Sequence, residues 1–97
     1  MKILIAESAF SDLENIKAYY TEQGVPVIGQ NFVAAIIEHI QTLADYPSIG
    51  RVVPEFDKEH IREIIHSPFR IVYLREESVV QIIRVWRSER LLRLPEA

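Results

Sequence analysis

The sequence predicts an α+β domain in which the order β-α-α-β-β-β builds an antiparallel sheet with a helical hairpin packed on one face. Three observations support this fold class. A short apolar run opens the chain, two stretches with helical spacing of apolar residues follow, and from Pro47 onward the apolar period shortens between turn residues. With 97 residues, the whole protein, 1–97, is expected to form one domain, because two separate cores would each bury too little apolar surface.

The opening strand is predicted at residues 2–6, where the apolar run is followed at once by the acidic Glu7. This pattern differs from a signal peptide, and no apolar stretch approaches the length that spans a bilayer. The sequence has no cysteine, which is typical of proteins in a reducing compartment. We therefore expect a soluble cytoplasmic protein that does not bind membranes.

The first helix follows this strand and is expected to end near Gln23. Its apolar residues recur at helical intervals, at Phe10, Leu13, Ile16 and Tyr20. Ser8 or Ser11 can cap its start, and Ser11 with Glu14 has the spacing of a capping box.

The second helix is predicted to begin at Pro26, a residue that suits the first turn of a helix, and to end before Tyr46-Pro47. Gly24 suits the end of the preceding helix. A connection this short makes the two helices an antiparallel hairpin.

Three further strands are predicted near 60–66, 69–75 and 79–86. Turns separate them at Ser67-Pro68 and at 76–78. The segment from Arg51 to Pro54 is either irregular or a short edge strand, because Pro54 cannot donate a hydrogen bond to a ladder.

The faces of this sheet follow from the lengths of the turns. If both hairpin loops contain an even number of residues, one face of the sheet is apolar and aromatic and packs on the helices. Its predicted members are Phe69, Ile71, Tyr73, Ile64, Val80, Ile82 and Trp86.

The opposite face mixes aliphatic side chains with arginines, a combination that is typical of a surface for another protein. The predicted partner-binding residues are Ile65, Arg70, Val72, Ile83, Val85 and Arg87. Two alternatives remain. The C-terminal tail, through Leu91, Leu92 and Leu94, can fold back over this face, and a single β-bulge would exchange the faces.

The net charge of −3 is unlike that of a typical nucleic-acid-binding protein, which is basic. Nine of the eleven basic residues nevertheless lie from Arg51 onward, so the second half can carry a positive face. Glu55 and Glu63 are expected to form ion pairs, with Arg51 and Arg62 as candidate partners. The three histidines, His39, His60 and His66, are predicted to lie too far apart for a metal site, and no cofactor is expected.

Several short motifs follow one another from Pro47 to Arg90. They read Pro47-Ser48-Ile49-Gly50-Arg51, Val53-Pro54-Glu55, Ile61-Arg62-Glu63, Pro68-Phe69-Arg70-Ile71-Val72-Tyr73 and Val85-Trp86-Arg87-Ser88-Glu89-Arg90. In this order and spacing, with the leading strand and the helical hairpin, the sequence resembles the ParE branch of the RelE/ParE toxin superfamily along nearly its whole length. The resemblance implies the toxin of a type II toxin–antitoxin (plasmid stabilisation) system that inhibits DNA gyrase by binding it. It also implies a ParD-like antitoxin as partner, with DNA reached only indirectly through that antitoxin.

The RelE branch of the superfamily implies a different activity, ribosome-dependent cleavage of messenger RNA. Its arginines fall on Arg70 and near Arg87, but Ser88 and Leu94 stand where a second arginine and a tyrosine are expected. Arginine stays protonated far above neutral pH, so Arg70 and Arg87 can hold a phosphate but are poor general bases. Our first interpretation is thus a binding toxin with no catalytic residues. The alternatives are a RelE-like endoribonuclease that uses Arg70 and Arg87, or an inactive homologue kept as an interaction module.

Overall fold

A computed structural model describes residues 1–88 of the protein. The elements follow the predicted order. They are β1 (Lys2–Ile5), α1 (Glu7–Glu22), α2 (Pro26–Gln41), β2 (Arg51–Val52), β3 (Ile61–His66), β4 (Phe69–Arg75) and β5 (Val79–Arg87), with a 3-10 turn at Thr42–Ala44. The α+β class and the helical hairpin are therefore confirmed, and the segment at Arg51 is a short edge strand.

The five strands form one sheet in the order β1-β5-β4-β3-β2. Strands β2 to β5 are antiparallel, as predicted, whereas β1 lies parallel to β5, with Lys2 opposite Val79. The complete sheet is therefore mixed. Tight turns require β3, β4 and β5 to alternate in direction. Between β1 and its neighbour β5 lie the helical hairpin and the other strands, so no turn fixes the direction of β1.

The start of α1 differs from the prediction. The capping residue is Ala6, which offers no side-chain acceptor, and the hydroxyl of Ser8 instead donates to the backbone C=O of Ile83 at 2.6 Å. Ser8 thus joins α1 to the sheet rather than capping the helix. The connection to α2 is as expected, with Gly24 in the left-handed region (φ 81°) and Pro26 as the first residue of α2.

The core lies between the helical hairpin and the inner face of the sheet. Its large members from the strands are Phe69, Ile71, Tyr73 and Ile82, all fully buried as predicted. From the helices, Leu13, Ile36 and Ile40 complete it. Within residues 1–88, neither helix is long and apolar enough to cross a membrane.

A bulge between β4 and β5 changes the faces of the last strand. Tyr73 lies opposite Ile82 but Val72 lies opposite Arg84, so Ile83 is an extra residue. Beyond it, Val85 turns into the core beside Ile71. The predicted outward position of Val85 is therefore wrong.

The same bulge exchanges the two residues that follow. Trp86 lies opposite Arg70 on the outer face and is only half-buried, so its predicted place in the core is wrong. Arg87 lies opposite Phe69 on the inner face, with its guanidinium carbon 5.6 Å from the centre of the Phe69 ring. A single inserted residue accounts for all of these exchanges.

Candidate partner-binding site

The outer face of the sheet carries a buried ion network centred on Glu63. Both carboxylate oxygens of Glu63 are used, one by Nε of Arg70 at 2.5 Å and one by Nε of Arg51 at 2.6 Å. Glu63 itself is only 1% exposed. The predicted pairing of Glu63 with Arg51 is confirmed, whereas Arg62 instead donates to the C=O of Gly50.

Arg70 has a second carboxylate partner that comes from the turn after β2. Its two terminal nitrogens donate to the two oxygens of Glu55 at 2.9 and 3.0 Å, a bidentate pair. Hydrogen bonding to Arg70 lowers the pKa of Glu55, and the bonds to Glu55 and Glu63 raise the pKa of Arg70 against the effect of burial. Every nitrogen of the Arg70 guanidinium therefore donates within the protein.

The sequence predicts that Arg70 binds a partner from the sheet surface, but this network occupies its side chain. The side chain is buried and neutralised by two acids, so binding a partner's carboxylate or phosphate requires those bonds to break first. The sequence does not reveal this, because Glu55 and Glu63 are separated along the chain, and only the turn after β2 brings Glu55 back over Arg70.

The predicted partner-binding residues do not form one open face. Ile65 is exposed, Ile83 and Arg87 are half-buried, and Arg70, Val72 and Val85 are buried. Val72 and Val85 thus contribute to the interior. A role for Ile65, Ile83 and Arg87 in binding a partner stays a prediction.

The alternative catalytic pair is not brought together by the fold. Arg70 lies on the outer face, opposite Trp86, while Arg87 lies on the inner face, opposite Phe69. The two guanidinium groups thus face different sides of the sheet, and the first is already bonded to carboxylates.

Tyr73 explains the motif around Gly50. Its buried hydroxyl accepts the N–H of Gly50 at 3.0 Å and donates to the C=O of Pro47 at 2.9 Å. A Cβ at position 50 would lie 2.6 Å from the C=O oxygen of Glu63 and 2.7 Å from that hydroxyl. Gly50 is therefore required because the backbone at this position lies too close to Glu63 and Tyr73 for a side chain.

A cleft of about 350 Å³ lies between α1 and the end of β5. Its lining is Asp12, Asn15, Ile16, Tyr19, Tyr20, Phe69, Arg84, Val85, Trp86 and Arg87. At its floor, Asp12 accepts two hydrogen bonds from Arg84 and one from the N–H of Val85, at 2.8–2.9 Å. We call it the α1–β5 cleft.

A second cleft, of about 340 Å³, lies beside β3. His39, Thr42, Ile49, Gly50, Arg51, Glu63, Ile64 and Ile65 line it. We call it the β3-edge cleft.

Two histidines meet near this cleft, contrary to the prediction that all three are scattered. Nδ1 of His39 on α2 lies 2.9 Å from Nδ1 of His66 on β3, a hydrogen bond in which one ring donates and the other accepts. Burial, and then the neighbouring His39, lower the pKa of His66. In the part of the protein that the structure describes, no three potential metal ligands cluster.

This histidine pair predicts a loss of stability in mild acid. The pKa of His66 in the folded protein lies below its ordinary value of 6.5, so below that pH the unfolded state binds more protons. The free energy of unfolding should therefore be fully retained above pH 6.5 and fall as the pH drops toward the lowered pKa. Thermal melts at pH 7.5, 6.5 and 5.5 measure this.

His66→Gln is the matched variant, because it keeps a polar side chain but does not titrate. We expect its melting temperature to change less between pH 7.5 and 5.5 than that of the wild type. Equal pH dependence in the two proteins would assign the effect to other groups.

Comparison with known proteins agrees with this architecture. Residues 3–92 match the family model described as ParE toxin of type II toxin–antitoxin system, parDE. Among solved structures, the protein is similar to one titled "Chromosomal ParDE TA system from P. aeruginosa", with a TM-score of 0.77 and 22% sequence identity, covering 90% of this chain and 95% of that one. No curated protein sequence matches significantly.

Proposed function

The chain belongs to the ParE toxin family of type II toxin–antitoxin systems, and from this premise we propose that it inhibits DNA gyrase by binding it and is neutralised by a ParD-like antitoxin. The observation that carries the proposal is the match to the family model over residues 3–92. The protein would act in the cytoplasm, where its target is found, and would reach DNA only through the antitoxin.

Binding, rather than cleavage of RNA, is favoured by the state of Arg70. A RelE-like endoribonuclease needs cationic groups that converge on the reacting phosphate and an acid or base within hydrogen-bond reach. In this protein Arg70 is held by Glu55 and Glu63, and Arg87 faces the other side of the sheet. The arrangement supports a toxin that acts through its surface.

The antitoxin is proposed to use apolar side chains that the toxin leaves in solvent. On the helical hairpin these include Phe10, Tyr19, Val27 and Ile28, all exposed. An amphipathic, acidic segment that folds on contact suits such a surface, because apolar contacts give affinity and its acids can meet the arginines of the second half. Covering the toxin surface would block access to the target.

Expression in bacteria tests the proposed target. Induction of the toxin alone should produce filamentous cells and cleaved chromosomal DNA, and co-expression of the protein encoded by the neighbouring gene should restore growth. A frame-shifted copy of the toxin gene provides the control for induction. Translation that stops within minutes, with cut transcripts and intact DNA, would instead support the endoribonuclease, and normal growth would support an inactive homologue.

A further inference from the structure

Both outer strands of the sheet are shorter than the strands they cover. β1 pairs with β5 only as far as Ile82, and β2 pairs with β3 only at Arg62 and Glu63. The following residues, 83–87 of β5 and 64–66 of β3, therefore lie at open edges. An open edge presents backbone N–H and C=O groups to which another extended polypeptide can bind.

Beyond Ile82, side chains of α1 bind the backbone groups of β5 that β1 leaves unpaired. The carboxylate of Asp12 accepts the N–H of Val85 at 2.8 Å, and the hydroxyl of Ser8 donates to the C=O of Ile83 at 2.6 Å. These groups occupy the positions that a pairing strand would need. A further strand at this edge would have to displace α1.

Within residues 1–88, no side chain or backbone group forms comparable hydrogen bonds to the open edge of β3. Val53 donates its N–H to the C=O of Ile61, so the odd-numbered residues of β3 direct their backbone polar groups away from β4. Ile65 is also odd-numbered, so its N–H and C=O point away from β4, toward the edge that β2 does not cover. Within residues 1–88, no hydrogen bond reaches Ile65 from that side.

The residues before Arg51 turn away from β3 and do not continue β2 alongside Ile65. The hydroxyl of Tyr73 binds both Gly50 and Pro47, and this draws the segment before Arg51 beneath the inner face. Position 50 also lies so close to the C=O of Glu63 that a Cβ there would be 2.6 Å from its oxygen. In the part of the chain that the structure describes, β2 therefore ends before it reaches Ile65.

The surroundings of this edge indicate what can bind there. The β3-edge cleft lies alongside it, and two aliphatic side chains flank it in solvent, Ile49 at 64% and Ile65 at 47% exposed. Arg51 is mostly exposed and gives only its Nε to Glu63, so its two terminal nitrogens make no hydrogen bond within the described residues. A bound segment would meet apolar contacts and one available cation.

We propose that the β3 edge at Ile64–His66 binds an extended, acidic segment of the antitoxin as an additional strand of the sheet. The N–H and C=O of Ile65 pair with the backbone of that segment, its apolar side chains pack on Ile49 and Ile65, and one of its carboxylates binds Arg51. This inference rests on the proposed function and specifies where the antitoxin binds.

Ile65→Pro tests the strand pairing directly. Proline removes the N–H that points to the open edge, and it is tolerated there because that N–H takes no part in the ladder to β4. The probe is the purified product of the neighbouring gene, titrated against the toxin by calorimetry. We expect affinity to fall on the order of tenfold or more, since a backbone C=O of the partner would be buried without its donor.

Ile65→Ala is the matched control, because it shortens the side chain but keeps the N–H. It should weaken binding by a smaller factor than Ile65→Pro. In the wild type, hydrogen exchange at the Ile65 amide should be rapid in the free toxin and slow in the complex, a measurement that needs no variant.

The outcomes separate this inference from the proposed function. The strand pairing is overturned if a folded Ile65→Pro variant binds with undiminished affinity. It is also overturned if the complex forms but the Ile65 amide stays unprotected. Either result leaves the antitoxin assignment intact. Failure of the wild-type toxin to bind the neighbouring gene product overturns both.

Discussion

Replacing Glu63 with alanine is expected to destabilise the protein by about 3–5 kcal/mol, which is the usual cost of removing one partner from a buried ion pair. Glu63 is fully buried and occupies the Nε of both Arg51 and Arg70. Its loss leaves Arg70, which is 6% exposed, with only the partly exposed Glu55. For a domain that is marginally stable, this is a large share of the total. Urea denaturation followed by circular dichroism measures the change.

Glu59→Ala is a suitable control, because Glu59 is a nearby exposed acid. It should leave the free energy of unfolding within about 0.5 kcal/mol of the wild type. If Glu63→Ala were equally mild, the bidentate bonds between Arg70 and Glu55 would be sufficient to neutralise the buried guanidinium.

Replacing Asp12 with alanine is expected to be the next most damaging change. Asp12 is buried and is the acceptor for the N–H of Val85, 73 positions further along the sequence. Leaving that buried N–H without a partner costs about 1–3 kcal/mol. The pair with Arg84 adds less, because the Arg84 side chain is 41% exposed and screened by solvent.

Asp12→Asn separates the two contributions. An amide oxygen can still accept the N–H of Val85, so this variant should retain most of the stability that Asp12→Ala loses. Glu14→Ala, which removes an exposed acid from the same helix, should have almost no effect on the denaturation midpoint. A loss from Asp12→Asn as large as that from Asp12→Ala would show that the charge, and not the acceptor, is what matters.

The elements could be predicted because each depends on local residues. The positions of β3 and β4 and the start of α2 at Pro26 follow from periodicity, proline and glycine, whereas at Arg51 the sequence allows either an irregular segment or an edge strand. The bulge at Ile83 could not be predicted in the same way. The bulge lies between Ile82, the last residue of β5 that pairs with β1, and Val85, whose N–H binds Asp12. Both of these neighbours are far away in sequence, so local patterns do not indicate it.

The site was harder to predict than the fold for the same reason. That Arg70 is neutralised depends on Glu55, which returns over the sheet only after the turn that follows β2. The approach of His39 to His66 depends on how α2 lies across β3. Sequence spacing alone indicates neither the contact between Arg70 and Glu55 nor that between His39 and His66. The exposed position of Ile65, by contrast, followed from strand alternation because no bulge interrupts β3.

The pairing of β1 with β5 also determines when the protein can fold during synthesis. Lys2 is synthesised before its partner Val79, and Asp12 likewise precedes Val85, whose N–H it accepts, by 73 positions. At about 5–20 residues per second, the first strand remains unpaired for several seconds. A polypeptide that stops before β5 lacks both the neighbour of β1 and much of the core, so it cannot reach the folded state. Interrupted synthesis should therefore yield fragments that are open to proteolysis, and resistance to proteolysis should arise only once β5 has been translated.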